Sequence, residues 1–98
     1  MYQIIYEPEA ENDLVDILAY YAETGDFTLA EALNIRIRNH IDRLRTMPQR
    51  IADSQTVPGV KGLLIEQLPY WAYFVIDEER KEVCILNLVH TRRKFPLE

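Results

Sequence analysis

The sequence predicts an α+β domain of order β-α-α-β-β-β, in which a helical hairpin packs on one face of a small, mainly antiparallel four-stranded sheet. Three observations carry the prediction. A short β-branched and aromatic run, Tyr2-Gln3-Ile4-Ile5-Tyr6, is closed by Pro8, as a strand would be. Two segments with apolar residues at three- and four-residue spacing follow, parted only by Gly25, Asp26 and Phe27. From Leu63 onward, three apolar stretches are separated by brief polar connections, the pattern of consecutive strands in a meander.

In the first helical segment Ala10, Leu14, Ile17, Leu18, Tyr21 and Ala22 form the apolar stripe. Pro8 suits a first helical position, and Glu7, Glu9 and Glu11 complement the positive end of the helix dipole. Gly25 is the expected stop. Thr28 and Glu31 have capping-box spacing, so a second helix is expected from Thr28, with Leu33, Ile37, Ile41, Leu44 and Met47 as its stripe and Pro48 as its end. The short connection makes the two helices an antiparallel hairpin. Residues 48 to 62 read as a long loop, 63 to 68 as a strand ended by Pro69, and 70 to 77 and 82 to 90 as two further strands. The run from Asp77 to Glu82 is too polar for the core and forms the hairpin connection.

The chain of 98 residues fits one domain, taken as 1–96 with Leu97-Glu98 as a cloning remnant. No run approaches the roughly 18 apolar residues of a membrane span, and the acidic N-terminus lacks a signal-peptide basic region; a cytoplasmic protein is expected. Cys84 is the only cysteine, which leaves no disulfide or cysteine-based metal site; neither a metal nor a cofactor is expected. The net charge of −5 is unevenly spread: residues 1–31 hold eight acids and no Lys or Arg, whereas residues 32–50 hold five arginines against Asp42. An acidic whole disfavours nonspecific nucleic-acid binding, which needs several phosphates neutralised together.

The candidate functional stretch is the last strand and its exit. His90, Arg92, Arg93 and Lys94 follow an apolar run without a break, so a cationic tail is held on a rigid support. The sheet face away from the helices is expected to be open, carrying Tyr70 or Trp71, Tyr73 and Glu66, with His90 and Arg92 or Arg93 at its border. Large aromatics beside arginines are a common interface composition. Arg36 and Arg43, and separately Arg38 and Arg45, repeat at seven. They form either a solvated face or a dock for the acidic first helix or an acidic partner. His90 could equally be a hydrogen-bonded structural residue, and His40, beside the helical stripe, is expected to be structural.

The element order, the Pro58-Gly59-Val60-Lys61-Gly62-Leu63 segment before a strand, Pro69-Tyr70 opening an aromatic strand that ends at Asp77, and the closing Val89-His90-Thr91-Arg92-Arg93 together resemble the RelE/ParE superfamily of bacterial toxins. Within it the chain is most similar to ParE-type toxins, whose last strand typically ends in a His-x-Arg-Arg segment. The resemblance implies the toxin of a type II toxin–antitoxin module, neutralised by a cognate ParD-like antitoxin and directed at DNA gyrase. It needs no bond chemistry of its own, no direct sequence-specific nucleic-acid contact and no membrane. It implies His90, Arg92, Arg93 and Lys94 as the target-binding segment, and places the antitoxin on Tyr70, Trp71, Tyr73, Arg36 and Arg43.

RelE-type relatives instead cleave messenger RNA in the ribosome; here such a nuclease would rely on His90, Glu66 and Arg92. Against it, Trp71 and Leu64 stand where nuclease relatives often carry arginine, only Lys61 precedes the aromatic strand, and Phe95 can stack but cannot transfer a proton. A third alternative is a degenerate toxin that retains only antitoxin binding.

Overall fold

The computed structural model describes residues 1–54, 57–65 and 67–92. Strand β1 is Gln3–Tyr6, helix α1 Pro8–Thr24, helix α2 Phe27–Asp42, and strands β2, β3 and β4 are Lys61–Leu64, Tyr70–Asp77 and Glu82–His90. The sheet order is β1-β4-β3-β2. The last three strands form the expected antiparallel meander, and β1 closes the other edge by pairing parallel to β4, Gln3 opposite Glu82 through Tyr6 opposite Ile85.

Both helices cover one face. Ala10, Leu14 and Ile17 of α1 and Ile37 and Ile41 of α2 meet Ala72, Phe74, Val83, Ile85 and Leu88 of the sheet in one buried cluster. Burial of these side chains, each contributing about 1.5–3 kcal/mol relative to exposure, is the main source of stability. Arg38 of α2 reaches back to α1 at Glu11 (3.5 Å) and lies over the Tyr6 ring at 5.0 Å, so one of the basic residues does meet the acidic first helix.

Several boundaries differ from expectation. Helix α2 starts at Phe27 because Asp26 is its cap: the Asp26 carboxylate accepts the Leu29 N–H at 2.7 Å, doing what the Thr28–Glu31 pair was expected to do. The α-helix ends at Asp42 and tightens into a 3₁₀ turn, Arg43–Arg45. Met47 is therefore not part of the stripe; it is exposed with φ at 50°, a left-handed residue that turns the chain ahead of Pro48. The expected loop holds a second 3₁₀ turn, Pro48–Arg50, and a bridge between Asp53 and Lys61, whose ammonium donates to the Ile51 carbonyl (2.8 Å) and the Asp53 carboxylate (2.9 Å).

Strand β2 lies upstream of the segment read as a strand. It begins at Lys61-Gly62 and ends at Leu64, while Ile65 turns off the ladder, its N–H donating to the Tyr70 carbonyl at 2.9 Å. Gly62 pairs with Tyr73, and a methyl group there would stand 3.2 Å from the Tyr73 ring and 3.5 Å from that of Trp71. The aromatic rings lie over a backbone that has no side chain of its own.

The second sheet face is not open. Val60, Tyr73 and Val89 are buried together, with Val57, Trp71, Val75 and Leu86 packed around them. Tyr73, expected to be exposed, keeps only 8% of its surface.

Candidate functional site

The end of β4 owes its orientation to a bulge. Phe74 pairs with Ile85 but the next residue back, Tyr73, pairs with Asn87, so Leu86 is one residue too many on β4. An inserted residue reverses the facing of everything after it. Val83 and Ile85 point toward the helices, and after the bulge it is Leu88 that does so, while Val89 joins the opposite cluster. His90, two residues beyond Leu88, therefore stands on the helix side, opposite Tyr70.

There it lines an open cleft of about 560 Å³ with Asp13, Asp16, Ile17, Tyr20 and Tyr21 of α1, Tyr70, Leu88 and Arg92. The His90 and Tyr70 rings meet edge to face, centroids 5.4 Å apart at 83°. The Arg92 backbone N–H donates to His90 Nδ1 at 3.1 Å. With Nδ1 accepting, the proton of the neutral ring resides on Nε2, so the free side of His90 offers a donor. Burial, reinforced by the hydrogen bond with Tyr21, pushes the Tyr70 hydroxyl up to about 12. It remains a neutral phenol at physiological pH. The Tyr70 hydroxyl and the Nε2 side of His90 thus both present hydrogen-bond donors.

Asp13 closes the cleft against the sheet. Strand β1 ends opposite Ile85, and beyond it, among the described residues, the β4 edge has no strand beside it. The Asp13 carboxylate occupies that place, accepting from the Leu88 N–H at 3.0 Å and from the Asn87 amide at 3.4 Å. This covers an edge that would otherwise be open to foreign pairing.

The expected site residues fall on three surfaces. His90, Arg92 and Tyr70 share the cleft. Trp71 and Tyr73 lie on the opposite face, their rings stacked with centroids 6.3 Å apart. Arg36 on α2 and Arg43 at the start of the 3₁₀ turn that follows it are exposed. Glu66, Arg93 and Lys94 lie outside the described residues. No signal in the sequence singled out Asp13, Tyr20 and Tyr21 as cleft residues; the helix spacing that brings them together was legible, the bulge that turns β4 toward them was not. Cys84 is half-buried, and burial raises its thiol pKa, with nearby Glu7 and Glu82 adding to the effect; it stays a protonated, unreactive thiol. Among the described residues no group of His, Cys, Asp and Glu could hold a metal ion, and no helix is long and apolar enough to cross a membrane.

A family model described as the ParE toxin of the type II toxin–antitoxin system, parDE, matches residues 4–95. Among solved structures, the chain is similar to one of the chromosomal ParDE TA system from P. aeruginosa, with a TM-score of 0.82 and 25% identity over 92% of this chain and 96% of that one. The isolated E. coli RelE toxin matches with a TM-score of 0.62 at 13% identity, over 97% of this chain and 89% of that one. A chain of the RelBE2 toxin–antitoxin complex from Mycobacterium tuberculosis matches with a TM-score of 0.57 at 19% identity, over 91% and 90%. At these identities the latter two speak for the fold alone. No curated protein sequence matches the chain.

Proposed function

The chain belongs to the ParE family of type II toxins, and from that premise we propose that it disables DNA gyrase in the cytoplasm by binding, without cleaving nucleic acid itself, and that a cognate ParD-like antitoxin holds it inactive. The observation that carries this reading is the family match over residues 4–95. The His90 geometry supports the part about chemistry. A ribonuclease would need a base to take a proton from a ribose hydroxyl, whereas Nδ1 of His90 is occupied by the Arg92 N–H and Tyr70, with a pKa of about 12, already carries its proton at neutral pH. The positions of Leu64 and Trp71, where nuclease relatives often carry arginine, hold apolar side chains.

In this reading His90 and Arg92, continued by Arg93 and Lys94, contact the target. The antitoxin covers Tyr70, Trp71 and Tyr73 together with Arg36 and Arg43; since Tyr73 is buried, Trp71 and Tyr70 supply most of the aromatic contact. The test uses purified protein incubated with gyrase and plasmid, and separately with translating ribosomes. Accumulation of cleaved gyrase–DNA complexes is the expected result. Messenger cleavage that disappears in His90→Ala would overturn it in favour of the RelE-like activity, and inactivity in both assays would leave a degenerate toxin.

A further inference from the structure

Strand β4 carries one amide among apolar neighbours: Asn87 lies between Val83-Cys84-Ile85-Leu86 and Leu88-Val89. It follows the surplus Leu86 directly, and its side chain reaches α1, donating to the Glu9 carboxylate at 3.2 Å and to that of Asp13 at 3.4 Å. A second pairing of β4 with β3 exists on paper. Counted on from Phe74 opposite Ile85 without the bulge, Leu86 would face Tyr73, Asn87 would face Ala72, Leu88 would face Trp71 and Val89 would face Tyr70. Leu86, Leu88 and Val89 are apolar and suit their new places. Asn87 does not: the place opposite Ala72 belongs to Leu88, in the buried cluster beneath the helices, and an amide set among apolar side chains there would forgo its carboxylate partners at a cost.

We infer that Asn87 is a positioning residue for the candidate site: held by Glu9 and Asp13 at the edge of β4, its amide keeps Leu86 out of the ladder and so sets His90 opposite Tyr70 in the cleft. A lone asparagine in an otherwise apolar seam fixes register in the same way in coiled coils. What Asn87 means for the target rests on the reading that His90 contacts it; what it means for the strand stands without that reading.

The main-chain contacts at this end of the strand do not make the choice. The Asp13 carboxylate accepts the Leu88 N–H at 3.0 Å, and the Thr91 N–H donates to the Pro69 carbonyl at 2.8 Å. In a straight ladder the N–H of the preceding residue would stand in each of these places, so both bonds are open to either register. The bond from the Arg92 N–H to His90 Nδ1 joins residues two apart and moves with them. The Asn87 side chain, by contrast, meets different partners in the two registers.

The test is NMR of the full chain, read as through-space cross-peaks of the Tyr70 ring. In the parent they run to the His90 ring, which it meets edge to face. Exchanging the two residues, Leu86→Asn together with Asn87→Leu, moves the amide one position back without changing the composition. The ladder of this variant should run straight, so that the Tyr70 cross-peaks pass to the Val89 methyls and those to His90 are lost. Should the exchanged chain fail to fold by circular dichroism, Asn87→Leu alone decides, with the His90 cross-peaks at least halved in favour of Val89. A folded variant that keeps the parental cross-peaks in full would overturn the inference. The toxin reading is scored separately, by cleaved gyrase–DNA complexes formed with the parent chain. Where these form, the variant that has lost the His90 cross-peaks should yield about tenfold fewer, and an unchanged yield would overturn the link from Asn87 to the target. Where the parent forms none, the proposed function fails while the cross-peaks still decide the register.

Discussion

Leu64 stands directly opposite Trp71 across the β2–β3 ladder. These are the two positions at which nuclease relatives are expected to carry arginine. Side chains so paired lie about 5 Å apart at Cβ, so two guanidinium groups there would form a clamp for one phosphate. In this chain the same place holds an apolar pair, continued by the stacked Tyr73 ring.

Trp71 is half-buried, so Trp71→Ala should cost about 2 kcal/mol, less than the 3–5 kcal/mol of a fully buried tryptophan. Urea denaturation measures the loss. The proposed function adds that this variant still arrests growth but is bound more weakly by the antitoxin, as read by titration of the complex. Loss of growth arrest in a variant that remains folded would place Trp71 in the target contact instead.

Gly62→Ala should destabilise by about 1 kcal/mol, because the added methyl meets Tyr73 at 3.2 Å. Tyr73 is buried under Val60 and Val89 and has little room to yield. Gly62→Val should cost more. Unfolding midpoints of the two variants check the order, and a stabilised Gly62→Ala would show that the ring is free to move.

Asp13→Ala leaves the Leu88 N–H without its carboxylate partner on the β4 edge. A charge-assisted bond of this kind contributes about 1.5–3 kcal/mol when shielded, and the half-exposed position argues for the lower end. Asp13→Asn keeps an acceptor and should lose less. Amide exchange at Leu88, faster in both variants and fastest in Asp13→Ala, provides a local readout.

Glu78 links the β3–β4 turn to the N-terminus: it accepts from the Tyr2 hydroxyl at 2.6 Å and from the Gln49 amide at 3.0 Å, and Gln49 also bonds the Tyr2 hydroxyl. The Tyr2 hydrogen bond, followed by that of Gln49, lowers the Glu78 pKa. A carboxyl whose folded pKa is depressed contributes stability above its unfolded pKa and loses it as pH falls through the folded value. The stability difference between the parent chain and Tyr2→Phe should therefore shrink below the ordinary glutamate range, near pH 4.5. Denaturant titrations at neutral and acid pH measure it; a difference that does not depend on pH would assign the loss to packing.

Tyr70 gives the opposite limb. Its pKa is raised to about 12, so the linked stability is present below the unfolded tyrosine value near 10 and is lost as pH rises toward 12. Ultraviolet titration should show one phenol ionising near 12, absent in Tyr70→Phe.

Much of the architecture could be read from residue spacing. The two apolar stripes fixed the helical hairpin, and the sequence of Pro and charged turns fixed the meander. Three features could not be read. Lys61-Gly62 begins a strand although a lysine and a glycine resemble loop, because what makes Gly62 a strand residue is the aromatic pair laid over it from another strand. Asp26 caps α2 in place of Thr28, a competition between neighbouring oxygen-bearing side chains that spacing does not settle. The bulge at Leu86 is hidden because β4 is apolar at almost every position, so no alternation exists to reveal a slip. That last point decided the candidate site: it is why His90 and Tyr70 share a cleft with α1 while Trp71 and Tyr73 do not.

The surplus Leu86 carries a consequence for redesign. Excising it alone would restore strict alternation along the strand and leave the imidazole opposite Tyr70 on the helix side, whereas a regular ladder that kept Leu86 would put the imidazole on the tryptophan side. What this protein offers at its far end is therefore governed by whether one surplus residue is accommodated outside the ladder or within it.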